Sequence, residues 1–508
     1  MNKLILSLAI FLLIGLCSCG NKEVAPPNII VFLVDDMGLM DTSVPFMCDT
    51  EGTPIEYPLN DFYRTPNMEQ LASQGIRFTN FYAHSVCSPT RNSIMTGQNS
   101  ARHGSTNWIR SERNNRTEFG PQNWNWEGVN SESVTLPRQL QQAGYKTIHV
   151  GKAHFGPIAH DGEDPLKLGF DVNIAGNSFG QPGSYYGEDG YGHIKGQKAR
   201  AVPGLEKYHR TETFLTEALT LEANAAITQA KEEGKPFFLH MAHYAVHAPF
   251  QSDPRFADNY KESGKSERAQ AYATLIEGID KSLGDIMAHV KELGIEKNTL
   301  ILFLGDNGSD APLGNEEYSS SSPLKGKKGN HWEGGMRVPF IAAWVSPDNT
   351  SSVQQLMPIE TNSIQQQLGS VLDIFPTICQ LTEAGVADEY VLDGFALQKQ
   401  LAGESNSERT ERFLNHFPHG NHRTNYFTSL VDADWKIIYH YPIESPERYE
   451  LFNLADDPFE VHNLAKEKPE QLKLMMELLH DEMLDKNALY PEVDGVALTL
   501  KLPTEIIY

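Results

Sequence analysis

The chain has 508 residues, 40% hydrophobic and 21% charged, a balance that supports roughly two to four packed domains and excludes a disordered, collagen-like or coiled-coil protein. Its 66 Asp and Glu against 42 Lys and Arg give a formal net charge of -24. Nucleic-acid binding rests on neutralising phosphates, so no nucleic-acid partner is expected, and any anionic ligand must find cations clustered locally.

The first residues differ from the rest. Lys3 precedes an apolar run from Leu4 to Leu16, shorter than the roughly 20 residues of a bilayer span and laid out like a signal peptide. Leu16-Cys17-Ser18-Cys19 resembles a lipobox, which divides the leader into residues 1–19, with Cys19 lipidated, and a tether over residues 20–27. A plain secretory signal is the alternative; both readings export the protein. With Cys17 and Cys19 in the leader, an odd number of the five cysteines remains: Cys48, Cys87 and Cys379, of which Cys48 and Cys379 either pair or stay free.

Short apolar runs predict buried parallel strands at Asn28–Val34, Tyr145–Val150, Pro236–Met241, Thr299–Leu304 and Pro339–Val345. Helical patterns occupy Asn67–Gln74, Leu136–Ala143, Phe214–Glu232, Ala269–Leu293 and Ile364–Leu381. This alternation predicts an α/β domain over residues 28–400, a large mixed, mostly parallel sheet sandwiched by helices. Over residues 401–508 the pattern changes to short antiparallel strands at Asn425–Val431, Trp435–Tyr441 and Tyr449–Asn453. A turn at Asp456-Asp457-Pro458 and an amphipathic helix over Pro469–Leu484 complete a smaller α+β unit.

Polar residues crowd behind the proposed strands: Asp35 and Asp36, Lys152 and His154, His247, and Asp306 and Asn307. Singly, each reads as a turn former or helix cap. Together they are expected to converge, because ligands of open α/β sheets bind beyond the carboxyl ends of the strands. The sharpest local signal is Cys87-Ser88-Pro89-Thr90-Arg91, followed by Thr96-Gly97. Pro89 suits the first position of a helix capped by Ser88. That reading sets Cys87 at the positive end of a helix dipole with Arg91 one turn on, features that activate a nucleophile or hold an anion. The bland alternative for a lone cysteine is a small buried side chain.

Cys-x-Pro-x-Arg with a downstream Thr-Gly resembles the signature of the type I sulfatases, in the alkaline phosphatase superfamily. Asn28–Gly38 (NIIVFLVDDMG) resembles that family's opening strand and acidic pair, and Gly151–Gly156 (GKAHFG) its Gly-Lys-Trp-His-Leu-Gly motif. His247-Ala248-Pro249, Gly305–Gly308, the loop Pro323–Pro339 (PLKGKKGNHWEGGMRVP) and the C-terminal stretch from Glu450 to Leu464 resemble later family motifs in the same order. Ala153 and Phe155 replace the family's Trp and Leu beside the functional Lys and His, a change that touches packing.

The resemblance implies that a formylglycine-generating maturation enzyme oxidises Cys87 to formylglycine (3-oxoalanine), hydrated to a gem-diol. One hydroxyl attacks sulfur to give a sulfated hemiacetal, and loss of the second hydroxyl's proton expels sulfate. It implies one Ca²⁺ held by Asp35, Asp36, Asp306 and Asn307 with the formylglycine oxygen of residue 87, an all-oxygen set that suits calcium better than zinc. Lys152 and Lys328 would grip sulfate oxygens, Arg91 would hold the gem-diol, His154 would act as the base and His247 as the acid for the departing alcohol. Of the neighbouring lysines, Lys325 and Lys327 are expected in solvent; alignment on Glu-Gly-Gly selects Lys328, and a one-residue shift would select Lys327. His84, His103, His331, Trp332, His416, His419 and His422 receive no individual role. The expected substrate is a sulfated sugar or polysaccharide fragment, met by a periplasmic or surface lipoprotein of a bacterium attached to the membrane through Cys19. An aryl-sulfate hydrolase, a phosphonate or phosphate monoester hydrolase of the same superfamily, and a non-catalytic binding lipoprotein are the alternatives.

Overall fold

The computed structural model describes residues 25–313, 320–420, 423–442 and 446–503. The signal sequence, Cys17, the lipidation site Cys19, most of the 20–27 tether and His422 lie outside the described residues. Among the described residues, no helix is long and apolar enough to cross a membrane.

In chain order the strands are β1 (Asn28–Val34), β2 (Ile76–Phe78), β3 (Phe81–Tyr82), β4 (Lys146–Gly151), β5 (Val172–Ile174), β6 (Phe237–Ala242) and β7 (Thr299–Gly305). They continue with β8 (Phe340–Trp344), β9 (Ser363–Gln365), β10 (Gly369–Ser370), β11 (Arg412–Phe417), β12 (Phe427–Asp432), β13 (Trp435–His440) and β14 (Tyr449–Asn453). The large sheet has the order β5-β4-β6-β1-β7-β8-β2-β9. Ile30, Phe32 and Val34 of β1 enter the core on one face, and Ile29, Val31 and Leu33 the core on the other. Burial on both faces is why the run is apolar at every position but its first. The helices Pro66–Gln74, Leu215–Glu232 and Glu267–Glu292 cover one face; Leu136–Gln142 and Ile374–Thr382 cover the other.

Two expectations change. Pro339–Val345, read as a parallel strand, is β8, which runs antiparallel to both β7 and β2; a run buried on both faces carries no signal of direction. The single helix expected over Ile364–Leu381 is divided. Ser363–Gln365 pairs in parallel with β2 at the sheet edge, Gly369–Ser370 pairs with β3, and the helix starts only after Ser370 forms a capping box with Asp373. Tertiary pairing overrides the helical propensity of the glutamines there.

In the C-terminal unit β11-β12-β13-β14 form an antiparallel sheet, of which β11 is not anticipated because Arg, Asn and His interrupt its apolar pattern. Leu472, Met475, Met476 and Leu479 of the helix Pro469–Asp485 pack on one face against Leu430, Ile437 and Leu451. The other face meets the large domain, where Phe413 and Val431 join Tyr82, Met336 and Leu372. Cys48 and Cys379 are free thiols.

A buried charge cluster ties the two sheets together. Lys436 Nζ, on β13, lies 2.9 Å from Glu333 Oε1 and 2.7 Å from Glu460 Oε1, all three side chains at 0% exposure. Tyr82 Oη donates to Glu333 Oε2 at 2.9 Å and the Glu333 amide donates to Glu460 Oε2 at 2.7 Å. Arg337 NH1 also lies 3.7 Å from Glu333 Oε2, but Lys436 is the cation that bridges both carboxylates, and removing it leaves Glu460 facing Glu333 in low dielectric. Lys436→Met is therefore expected to cost about 3–5 kcal/mol, measured as loss of unfolding free energy in urea, whereas Lys399→Met on the surface should change it by less than about 0.5 kcal/mol.

Candidate functional site

Register builds the site. β4, β6, β1 and β7 are consecutive neighbours, with Val34 level with Gly305 and Gly151 level with Ala242. Asp35, Asp306 and Lys152 each follow one of these end residues directly, so strands remote in sequence deliver their charges to one crevice. Asp36 has φ 60°, in the left-handed region that short polar residues tolerate. The turn there brings two successive carboxylates into the same site.

The cysteine motif lies on the helix Cys87–Thr96, buried along its whole length. The helix starts at Cys87, capped in backbone geometry by Val86, and not at Pro89 with Ser88 as its cap. Ser88 instead accepts the Ile109 amide on its Oγ at 3.0 Å, tying the neighbouring loop to the helix. Cys87 is thus the first helical residue, at the end where backbone N–H groups are unpaired. One ligand atom each of Cys87, Asp35 and Asp306 lies within 4.8 Å of the others.

Three fully buried carboxylates face three cations. Arg91 donates from Nε to Asp306 Oδ2 at 2.9 Å, pairs through NH2 with the same oxygen at 2.8 Å, and donates from NH1 to the Lys152 carbonyl at 2.8 Å. Lys152 Nζ donates to Asp35 Oδ2 at 2.7 Å. Lys328 Nζ reaches Asp36 Oδ1 at 2.6 Å and Oδ2 at 2.8 Å. Burial works against the charge on Asp36, but Lys328, His247 and Lys152 outweigh it and hold that carboxyl below its usual range. At Asp35 burial wins, and the carboxyl is pushed up despite Lys152. Burial likewise pushes up the Cys87 thiol, against the pull of Lys152 and Lys328.

The two histidines differ in which nitrogen is available. His154, at φ 56°, has Nε2 2.7 Å from the Ile109 carbonyl. A carbonyl only accepts, so Nε2 carries the proton and Nδ1, which has no hydrogen-bond partner among the described residues, is the basic atom. Gly180 passes so close that a Cβ there would stand 2.7 Å from the His154 ring. His247 donates from Nδ1 to the Ala248 carbonyl at 2.9 Å, leaving Nε2 3.7 Å from Asp36 Oδ2. Burial and then Lys328 hold His247 down at about 3, and burial holds His154 well below the ordinary histidine value.

Cys87, His154, His247 and Lys328 line one cavity of about 250 Å³ together with Trp108, Arg110, Ser111, Gln181, Arg200, Asp310 and Arg423. None of these last seven carries a motif, and only the fold brings them to the mouth. Lys327 is half-buried and outside this cavity; Lys325, expected in solvent, stacks its Nζ 4.2 Å from the Trp332 ring centroid. His84 and His103 each bond Ser93 at 3.1 Å, His416 bonds Thr428 at 2.7 Å and His419 bonds Thr106 at 2.8 Å, all away from this cavity.

The donors suit a hard divalent cation. Asp35 Oδ1 and Asn307 Oδ1 are buried and have no hydrogen-bond partner among the described residues, while Asn307 Nδ2 donates to Asp36 Oδ1 at 2.9 Å and so turns its oxygen away from that carboxylate. Carboxylate and amide oxygens are calcium ligands.

A family model described as Sulfatase matches residues 27–384, and one described as the C-terminal region of N-sulphoglucosamine sulphohydrolase matches residues 330–489. N-acetylgalactosamine-6-sulfatase of Mus musculus is 32% identical over 404 residues, covering 76% of this chain and 67% of that protein. A sulfatase of Formosa agariphila is 27% identical over 508 residues, covering 89% and 87%. Among solved structures, Ps i-CgsB is similar at a TM-score of 0.70 and 25% identity, covering 91% of this chain and 93% of that one; it was also solved with k-i-k-neocarrahexaose.

The oxygen cluster makes a prediction independent of turnover. Added Ca²⁺ should raise the thermal midpoint and EDTA should lower it. Asp35→Asn should weaken the Ca²⁺ affinity read from that shift by at least about tenfold, and an unchanged shift would remove Asp35 from the ligand set.

Proposed function

Since the chain belongs to the sulfatase family and is a sulfuric ester hydrolase, we propose that it removes sulfate from a sulfated sugar or polysaccharide fragment, using formylglycine derived from Cys87 and one Ca²⁺. The observation that carries this reading is the convergence of Cys87, His154, His247 and Lys328 on one cavity backed by Asp35, Asp36, Asp306 and Asn307. The sugar class is supported by the relatives, one named for N-acetylgalactosamine 6-sulfate and one solved with an oligosaccharide. It is also supported by a cavity mouth that offers an indole and several polar side chains to sugar rings and hydroxyls.

Asp35, Asp36, Asp306 and Asn307 would hold Ca²⁺, which supplies charge neutralisation beside the sulfate. Hydrated formylglycine supplies the attacking hydroxyl and a second hydroxyl whose deprotonation releases sulfate. The remaining work belongs to the chain. Lys152 and Lys328, each bound to one carboxylate, present ammonium N–H groups to the sulfate oxygens in a water-poor site, where such donors act most strongly. His247 Nε2 is the atom that carries a proton to the leaving oxygen. Burial and then Lys328 hold it down at about 3, and the negative charge of a bound sulfate ester would act in the opposite direction, favouring the protonated form that the acid needs. His154 Nδ1, fixed as the basic nitrogen by the Ile109 carbonyl, withdraws the proton that accompanies sulfate release. Arg91, locked to Asp306 and to the Lys152 backbone, holds the floor of the site in place.

Peptide mass spectrometry of protein made with its maturation enzyme should show the residue-87 peptide lighter by about 18 Da than the cysteine form. Cys87→Ala should abolish turnover and keep the Ca²⁺-dependent thermal shift; retained activity would sink the nucleophile assignment. His247→Ala should slow sulfated sugars, whose alcohols leave poorly, by about 10²–10⁴-fold and 4-nitrophenyl sulfate much less. Equal losses would argue against its role as acid. We also propose, from the lipobox-like Leu16-Cys17-Ser18-Cys19, an exported lipoprotein acting in the periplasm or at the cell surface. Metabolic labelling with a palmitate analogue should mark the wild type and not Cys19→Ala.

A further inference from the structure

A second group of ligating side chains lies away from the carboxylate cluster, between the loop that carries Lys328 and the C-terminal sheet. His331 follows Lys328 on that loop, His440 ends β13 and Glu450 lies on β14. One ligand atom from each stands within 4.8 Å of the other two. His440 Nε2 is 2.7 Å and His331 Nε2 3.5 Å from the same oxygen, Glu450 Oε1. His331 and His440 are each 5% exposed, while the Glu450 side chain keeps 18% exposure, an approach for a small ion.

His331 Nε2 is the telling atom. It is buried and aimed at a carboxylate, yet has no hydrogen-bond partner among the described residues; 3.5 Å is too long for a sound N–H···O bond. Its other nitrogen, Nδ1, is 2.9 Å from Thr424 Oγ1, and the Trp332 indole donates to the second Glu450 oxygen, Oε2, at 3.1 Å. Each of these two ligating side chains is thus oriented by a bond through the atom it does not offer, the supporting shell that metal-binding imidazoles and carboxylates carry.

We propose that His331 Nε2, His440 Nε2 and Glu450 Oε1 bind a divalent first-row transition ion, best matched by Zn²⁺, with water completing the coordination. Two imidazole nitrogens and one carboxylate oxygen form a borderline donor set that Zn²⁺ takes with ligands at about 2.0–2.2 Å, which puts neighbouring donors roughly 3.3 Å apart in a tetrahedron. The observed 2.7 and 3.5 Å bracket that spacing. Ca²⁺ prefers oxygen donors and is a poor competitor here. The ion would join the Lys328 loop to two strands of the C-terminal sheet, a staple across the interface.

The test uses the full-length protein saturated with Ca²⁺ and titrated with Zn²⁺ against a chromogenic zinc indicator, with Co²⁺ as a spectroscopic stand-in. One equivalent is expected to bind, with visible d–d absorption of a nitrogen- and oxygen-ligated Co²⁺ centre. Glu450→Gln and His440→Gln should each weaken Zn²⁺ by at least about tenfold and retain the Ca²⁺-dependent thermal shift, which places the loss outside the carboxylate cluster. Thr424→Val, which removes only the supporting bond to His331, is expected to weaken Zn²⁺ by about tenfold and decides the matter if a ligand variant fails to fold. Absence of a stoichiometric equivalent in the wild type, or wild-type affinity in all folded variants, overturns the proposal.

Discussion

The architecture depends on burying Asp35, Asp36 and Asp306 together at zero exposure at the carboxyl edge of the central strands. Isolated carboxylates there would cost several kcal/mol each in desolvation, and the protein meets that cost by setting Arg91, Lys152 and Lys328 directly against them. The balance is also functional. A dication held beside these pairs would add positive charge to the site, which would suit a sulfate ester in a chain whose overall charge would repel it.

The loop between β7 and β8 connects this balance to the rest of the molecule. Lys328 enters the carboxylate site, Glu333 enters the buried cluster with Lys436 and Glu460, and His331 meets His440 and Glu450 between the two. The C-terminal sheet is therefore part of the support of the site: β13 and β14 hold the same loop whose lysine faces Asp36. A change on β13 such as Lys436→Met acts on the catalytic domain through that loop, and the matching C-terminal family model starts at residue 330, within it.

Much of the framework was legible in the residues. β1 and β14 occupy the expected residues, and the helices over 66–74, 136–142 and 215–232 lie within a residue or so of expectation, because a buried strand or an amphipathic helix writes its burial into a local period. Strand direction at β8, the division of Ile364–Leu381 and the edge strand β11 were not legible, since each depends on which distant segment pairs with it. The motif residues Asp35, Asp36, Cys87, Arg91, Lys152, His154, His247, Asp306, Asn307 and Lys328 are brought together as a group. Trp108, Arg110, Gln181, Arg200 and Arg423 sit at the same cavity without any motif to announce them.

The sequence by itself determined the class of fold, the family and the chemical inventory of the site, because catalytic groups must follow particular strand ends and those ends are marked by short local patterns. Only the tertiary structure decided which lysine faces the carboxylates, which nitrogen of His154 is basic and where the helix bearing Cys87 begins. It also decided that His331, His440 and Glu450 meet. Each of these outcomes is set by contacts a few ångströms long between residues far apart in the chain, and no local period records them.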